Sequence, residues 1–242
     1  MATNSETGHA KNVANFETLI TNCKGLGEAY NPSSNDIKIS VMARYHIESK
    51  EEVREVKNKK APFDEVEGHR KTLFKPYGPL ATKIMGALKA SGAPITVIQD
   101  AETINRKMQG KRALGTTIEL KDDGTPKDRI SVSQQSYDMK IDHLEKMIEL
   151  LAIEPSYNPN ENPLKVDSLT TYKRELEAIN SAVKSAYVPY YTALISRNKK
   201  LYDTETGLVA RAIQVKNYVK SVYGATSPEF KRIQSLKFRN LI

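Results

Sequence analysis

The sequence predicts an all-α protein built as two tandem helical-bundle repeats of about 100 residues, joined by a β-hairpin linker. Three observations predict it. Apolar residues recur at steps of three and four through most of the chain. The phrase "YNPSSNDIKI", starting at Tyr30, returns as "YNPNENPLKV" at Tyr157. One stretch between them alternates with a period of two on either side of Asp-Gly.

The duplication is read without gaps over residues 30–70 and 157–197, where eleven of 41 positions are identical. They include Tyr30/Tyr157, Asn31/Asn158, Pro32/Pro159, Tyr45/Tyr172, Glu48/Glu175, Val56/Val183, Pro62/Pro189 and Arg70/Arg197. Single-residue gaps extend the match, pairing "NFETLITNC" with "HLEKMIELL" and "TLFKPYGPLATKI" with "KLYDTETGLVARA". The reading gives a polar tail at 1–11, repeat one at 12–110, a linker at 111–136 and repeat two at 137–242. Two copies of so long a period exclude a solenoid.

Each repeat reads as four helices. The first spans about Val13 to Ala29, with Val13, Phe16, Leu19, Ile20 and Cys23 on one stripe; its counterpart carries Ile141, Leu144, Met147, Ile148 and Leu151. "YNP" ends it, because proline cannot continue a helix and disfavours α conformation in the residue before it. The second is long. Val166, Leu169, Tyr172, Leu176, Ile179, Val183, Ala186, Tyr190 and Ala193 keep phase across Pro189, as Met42, Tyr45, Val56, Phe63 and Val66 do across Pro62. Two readings stay open: one helix kinked at the proline, or a break with proline opening a new helix. The third helices are "PLATKIMGALKA" and "TGLVARAIQVKNYVKSVY", with Gly92 and Gly224 just past their ends. "DAETINRKMQG" and "SPEFKRIQSLKF" close the repeats, the latter with Ser227 as cap and Pro228 at the first helical position. The linker "GTTIELKDDGTPKDRISVSQQ" alternates Ile118/Leu120 and Ile130/Val132 around the Asp-Gly turn.

Composition narrows the function classes. Hydrophobic content is 39% and charged content 27%, ordinary for a globular protein. No apolar run reaches the ~18 residues of a membrane span, and the N-terminus lacks a secretory pattern. With one cysteine no internal disulfide forms, and a cytoplasmic location is expected. The net charge is +8. It concentrates after position 210, where Arg211, Lys216, Lys220, Lys231, Arg232, Lys237 and Arg239 stand against one acid, Glu229.

"AYNPS", "ISVSQQSYD", "PSYNPNE", "RNKKLYDTETGLV" and "YVKSVYGATSP" resemble segments of a family of uncharacterised bacterial proteins. The resemblance implies the duplicated helical plan and supplies no activity, ligand or site. Pro62 and Pro189 depart from that family's pattern.

Catalytic motifs are missing. There is no phosphate-binding loop, nucleophile elbow or HExxH, and a single Cys with four scattered His does not make a zinc site. Glu65 and His69 share a helix face, but the equivalent positions hold Thr192 and Ser196, so no symmetric di-metal centre exists. They read as a surface pair, and Cys23 as core. No cofactor, no metal and no catalytic residue is expected, and the protein reads as a non-enzyme. Arg70 and Arg197 lie on the apolar stripes; they read either as snorkelling or paired arginines or as a possible anion-binding pocket in each repeat. Lys216, Lys220, Lys231, Arg232, Lys237 and Arg239, with Tyr218, Tyr223, Phe230 and Phe238 interleaved, form a possible nucleic-acid-binding face. The leading expectation is a structural, scaffolding protein that self-assembles as a homo-oligomer or filament, or contacts another protein, with no membrane insertion. A basic nucleic-acid-binding protein is the alternative.

Overall fold

The computed structural model describes residues 4–111 and 135–242, with side chains from residue 8. Eight helices follow in order: α1 (Asn4–Lys24), α2 (Ile39–Phe74), α3 (Tyr77–Ala90), α4 (Ile95–Met108), α5 (Tyr137–Ile153), α6 (Val166–Tyr202), α7 (Leu208–Tyr223) and α8 (Pro228–Gln234). Among the described residues there is no strand, which corrects the hairpin-linked fold class to one made of helices alone. The alternation that suggests the hairpin falls on 112–134, outside the described residues. Alternation states which face a strand would bury; it does not supply the third strand or helix a hairpin needs for stability.

Both long helices are continuous through their prolines, with Pro62 inside α2 and Pro189 inside α6. Each proline removes one donor, which would orphan the carbonyls of Asn58 and Ser185. Pro62, Pro189, Asn58 and Ser185 are all exposed, so water satisfies those carbonyls and neither helix has to break.

The residues separate into two compact units, neither of which is one of the expected tandem repeats. Unit one holds 1–64 and 186–242; unit two holds 65–185. Unit one is therefore α1 and most of α2 with the end of α6, α7 and α8. Its core gathers Phe16, Leu19, Cys23, Met42, Leu201, Leu208, Val215 and Phe230. Unit two is the end of α2, α3 and α4 with α5 and the start of α6. Its core gathers Ile84, Leu88, Leu144, Met147, Leu169 and Leu176. Burial pushes the Cys23 thiol up to about 11, so it is an inert core residue.

Within each unit the same contacts recur 127 positions apart. The Tyr30 hydroxyl donates to the Ile37 carbonyl at 2.7 Å, and Tyr157 donates to Leu164 O at 2.8 Å. Each bond closes the connector, whose 3₁₀ turns are Asn35–Ile37 and Asn162–Leu164. Tyr45 donates to Lys200 O in unit one, and Tyr172 to Leu73 O in unit two, each at 2.8 Å. Phe63 and Tyr190, equivalent to each other, stack with ring centroids 5.5 Å apart. Burial also fixes the register of the third helices. Tyr77, Ala81, Ile84 and Leu88 are buried in α3 as Leu208, Ala212, Val215 and Val219 are in α7, so the offset grows to 131 across the longer loop before α7.

The N-terminal boundary differs from expectation. Residues 4–11 belong to α1 and are no polar tail. His9 is buried and bonds to the Tyr202 hydroxyl. Asn12 donates to Arg239 O at 2.7 Å and accepts from Arg239 N at 3.1 Å, so α1 is tied to the C-terminal segment. These long-range bonds fix polar residues that local sequence marks as free. The other end of α1 falls at Lys24 rather than Ala29, and Gly27 takes φ +60° in the turn that follows.

Tyr30→Phe and Tyr157→Phe should each lower unfolding free energy by about 1–2 kcal/mol, because a carbonyl loses its buried donor. Urea unfolding measures this, with the exposed Tyr187→Phe as the unchanged control.

Candidate functional site

The sequence singles out two arginines and a C-terminal basic stretch. Arg70 lies on α2 in unit two. Its Nη1 donates to Asn180 Oδ1 at 3.0 Å, and its guanidinium carbon sits 4.0 Å from the centre of the Tyr137 ring. Asn180 Nδ2 in turn donates to Asp138 Oδ1 at 2.8 Å. Arg197 lies on α6 in unit one and is 4% exposed. Its Nε and Nη2 both donate to Asn198 Oδ1, at 3.1 and 2.8 Å. Glu48, the acid equivalent to Glu175, binds Lys200 at 2.5 Å. Both guanidiniums face protein partners, in different units.

The basic stretch divides by role. Arg211 is a structural pin: Nε donates to Thr206 O at 2.9 Å, Nη1 to Asp36 O at 2.7 Å, and the group stacks over Tyr45 at 4.3 Å. Lys200 covers the same ring at 3.9 Å. Lys216 donates to Leu236 O at 2.6 Å and lies over Phe238. Burial, with the Lys237 charge adding to it, lowers the Lys216 pKa. Lys220, Lys231, Arg232, Lys237 and Arg239 are exposed. The interleaved aromatics are not: Phe230 belongs to the core of unit one, and Tyr218, Tyr223 and Phe238 pack against it. The face offers charge without free stacking rings. Glu65 and His69 are both exposed.

Two features went unread in the sequence. The first is a groove of about 410 Å³ between α1 and α2, with Ala10, Val13, Ala14 and Val53 beneath Lys50, Arg54 and Lys57. The second is a second apolar row on α6. Tyr187, Val188, Tyr191 and Ile195 are 45%, 62%, 50% and 53% exposed. Tyr187 and Tyr191 stack at 5.6 Å, and Phe63 lies 5.7 Å from Tyr187. The row's signal was present in the i, i+4, i+8 spacing of Tyr187, Tyr191 and Ile195. It lies off the phase of the core stripe, which drew the reading to Ala186, Tyr190 and Ala193.

Among the described residues no group of three or more His, Cys, Asp or Glu could hold a metal ion. No described helix is long and apolar enough to cross a membrane. The chain matches no family model, no curated protein and no solved structure.

Arg211→Ala should cost about 1–3 kcal/mol, since the carbonyls of Asp36 and Thr206 lose a charged donor; thermal or urea unfolding reads it. A second outcome concerns pH. Burial lowers the pKa of His46, partly countered by Glu17 and helped by Lys50. Burial likewise lowers that of His143, against Asp142 and with Lys107 and Lys146. The unfolded chain therefore binds these protons first, and stability falls as pH drops through about 6.5 until the lower folded-state values are reached. His143→Leu should flatten that slope in urea midpoints measured from pH 7.5 down to 5.

Proposed function

We propose that this chain is a non-enzymatic scaffolding protein that works through protein–protein contacts and pairs with a second copy of itself. The observation that carries the reading is the exposed row Tyr187, Val188, Tyr191 and Ile195 on α6. Contiguous aromatic and aliphatic surface on a rigid helix is what association surfaces are made of. The equivalent positions on α2 are Lys60, Ala61, Asp64 and Gly68, with Lys60 bonded to Asp64. The row thus belongs to one long helix and not the other. A single patch of this kind pairs with itself in an isologous dimer, whereas a filament needs two complementary faces.

The polar groups inside both units support a non-enzyme. Three of those that catalysis could use are bonded to structure: His9 to Tyr202, Arg211 to Asp36 and Thr206, and Arg70 to Asn180. We infer as well that the chain descends from a duplicated unit, supported by the paired bonds of Tyr30/Tyr157 and Tyr45/Tyr172. We place it beside the uncharacterised bacterial helical proteins its sequence resembles, and in the cytoplasm, in keeping with its single buried thiol.

Sedimentation equilibrium across protein concentration tests the proposal. The wild type should reach a dimer mass, and Tyr191→Glu with Ile195→Glu should stay monomeric with unchanged helical circular dichroism. A wild type that is monomeric at every concentration overturns self-pairing. Mass that grows without limit would mean head-to-tail assembly through other faces. Anisotropy with a single-stranded oligonucleotide should show no binding at physiological salt. Affinity that falls steeply with salt and is lost on neutralising Lys220, Lys231 and Arg232 would favour the nucleic-acid reading instead.

A further inference from the structure

The two connectors that share the phrase "YNP" are closed by the same tyrosine bond, but their surroundings differ. In unit one, α7 packs on the 3₁₀ turn Asn35–Ile37. Tyr218 of α7 sets its ring edge-on to Tyr30, with centroids 5.2 Å apart at 87°. Its hydroxyl accepts the Asn31 N–H at 3.0 Å. In unit two, α3 packs on the turn Asn162–Leu164 in the same way. The register fixed by burial places Ala87 where Tyr218 stands. The Ser91 hydroxyl lies 3.3 Å from that of Ser156, and the Asn158 N–H folds back on Ser156 O at 3.1 Å.

A groove of about 600 Å³ opens there, over Tyr157 and beside Asn158, flanked by Lys83 and Glu161. Its α3 wall is Gly86, Ala87, Ala90 and Ser91, where α7 has the larger Asn217, Tyr218, Ser221 and Val222. A Cβ built on Gly86 would meet nothing within 4 Å. The groove is the Tyr218 site with its ring removed and its wall pared back.

We propose that this groove in unit two binds a small hydroxyaromatic molecule, a phenol, whose ring lies edge-on to Tyr157 and whose hydroxyl takes the Asn158 N–H in place of Ser156 O, as Tyr218 takes that of Asn31. The Tyr157 hydroxyl is spent on Leu164 O, so its ring edge is what it offers. An edge-to-face ring contact and one neutral hydrogen bond together suit a weak, specific ligand. Lys83 and Glu161 at the rim leave room for a polar substituent.

The test is amide-resolved NMR titration of the full chain with p-cresol. Saturable shifts are expected at Gly86, Ser91 and Asn158. Toluene, which lacks the hydroxyl, should bind about five- to tenfold more weakly. Ala87→Tyr supplies the ring internally, and Gly86→Leu blocks the groove from the helix side; each should abolish the shifts while keeping helical circular dichroism. Should Ala87→Tyr fail to fold, Gly86→Leu at an open helical position still decides the matter. Tyr218→Gly should gain a second p-cresol site at Asn31, with a rise in thermal midpoint on adding p-cresol. No saturable shift in the wild type, or shifts that survive Gly86→Leu, would overturn the proposal. Because oligomer mass plays no part in this readout, its failure leaves self-pairing untouched.

Discussion

Two helices of 36 and 37 residues set the problem that the rest of the fold solves. At 1.5 Å per residue each is on the order of 55 Å long, well beyond the span of one ~100-residue bundle. One core cannot bury such a stripe from end to end, so each helix serves two cores. Met42, Val53 and Val56 of α2 are buried before Pro62, and Phe74 after it, in a different core. On α6, Leu169, Leu176 and Ile179 serve unit two, and Leu201 and Tyr202 serve unit one. The tyrosine bonds Tyr45 to Lys200 and Tyr172 to Leu73 fasten the start of each long helix to the end of the other. A unit assembled that way necessarily takes its pieces from both halves of the chain.

The cations follow from the same constraint. Turns and connecting segments leave carbonyls without a backbone donor, and covering them needs donors that reach across packing distances. Arginine and lysine reach furthest. Arg211 serves the carbonyls of Asp36 and Thr206, and Lys216 serves Leu236. Lys200 and Arg211 meet over the Tyr45 ring, where the cloud of an aromatic face offsets two nearby positive charges. A share of the positive charge that looks like a ligand site in the sequence is thus consumed by the fold, and only the cations that cap nothing remain for solvent.

What was legible in the sequence was periodic. The core stripes of α1, α5 and α6 come straight from the three-four spacing, and Gly92 and Gly224 stand just past the ends of α3 and α7 with φ +82° and +86°. Ser227 caps α8 by accepting the Phe230 N–H, as its place before Pro228 announces. What was not legible depends on partners far along the chain. His9 and Asn12 look like a solvated tail until Tyr202 and Arg239 arrive beside them. The fate of Arg70 turned on Asn180 and Tyr137, residues that local spacing gives no reason to pair with it. The assignment of repeats to bundles failed for the same reason. Spacing shows that two segments are alike, and says nothing about whether each packs on itself or on the other.

The differences between the two copies carry more information than their likeness. On the duplication inferred above, both halves began with identical side chains. Positions that hold the fold have stayed similar: Tyr30/Tyr157 and Tyr45/Tyr172 keep their bonds, and Val56/Val183 keep their burial. Packing explains this, since a buried carbonyl or a filled core tolerates little change. Lys60/Tyr187, Asp64/Tyr191 and Gly68/Ile195 lie on open faces, where folding tolerates either residue. Their divergence into a charged row and an apolar row needs a cause outside the fold. Ala87/Tyr218 is sharper still, because there the fold had a use for the ring: Tyr218 fills space and satisfies a backbone donor. Unit two meets the donor with Ser156 O and leaves a groove where the ring would lie. Stability alone does not account for a groove where the counterpart packs a ring, and this contrast is what sets the proposed ligand there rather than at the cations.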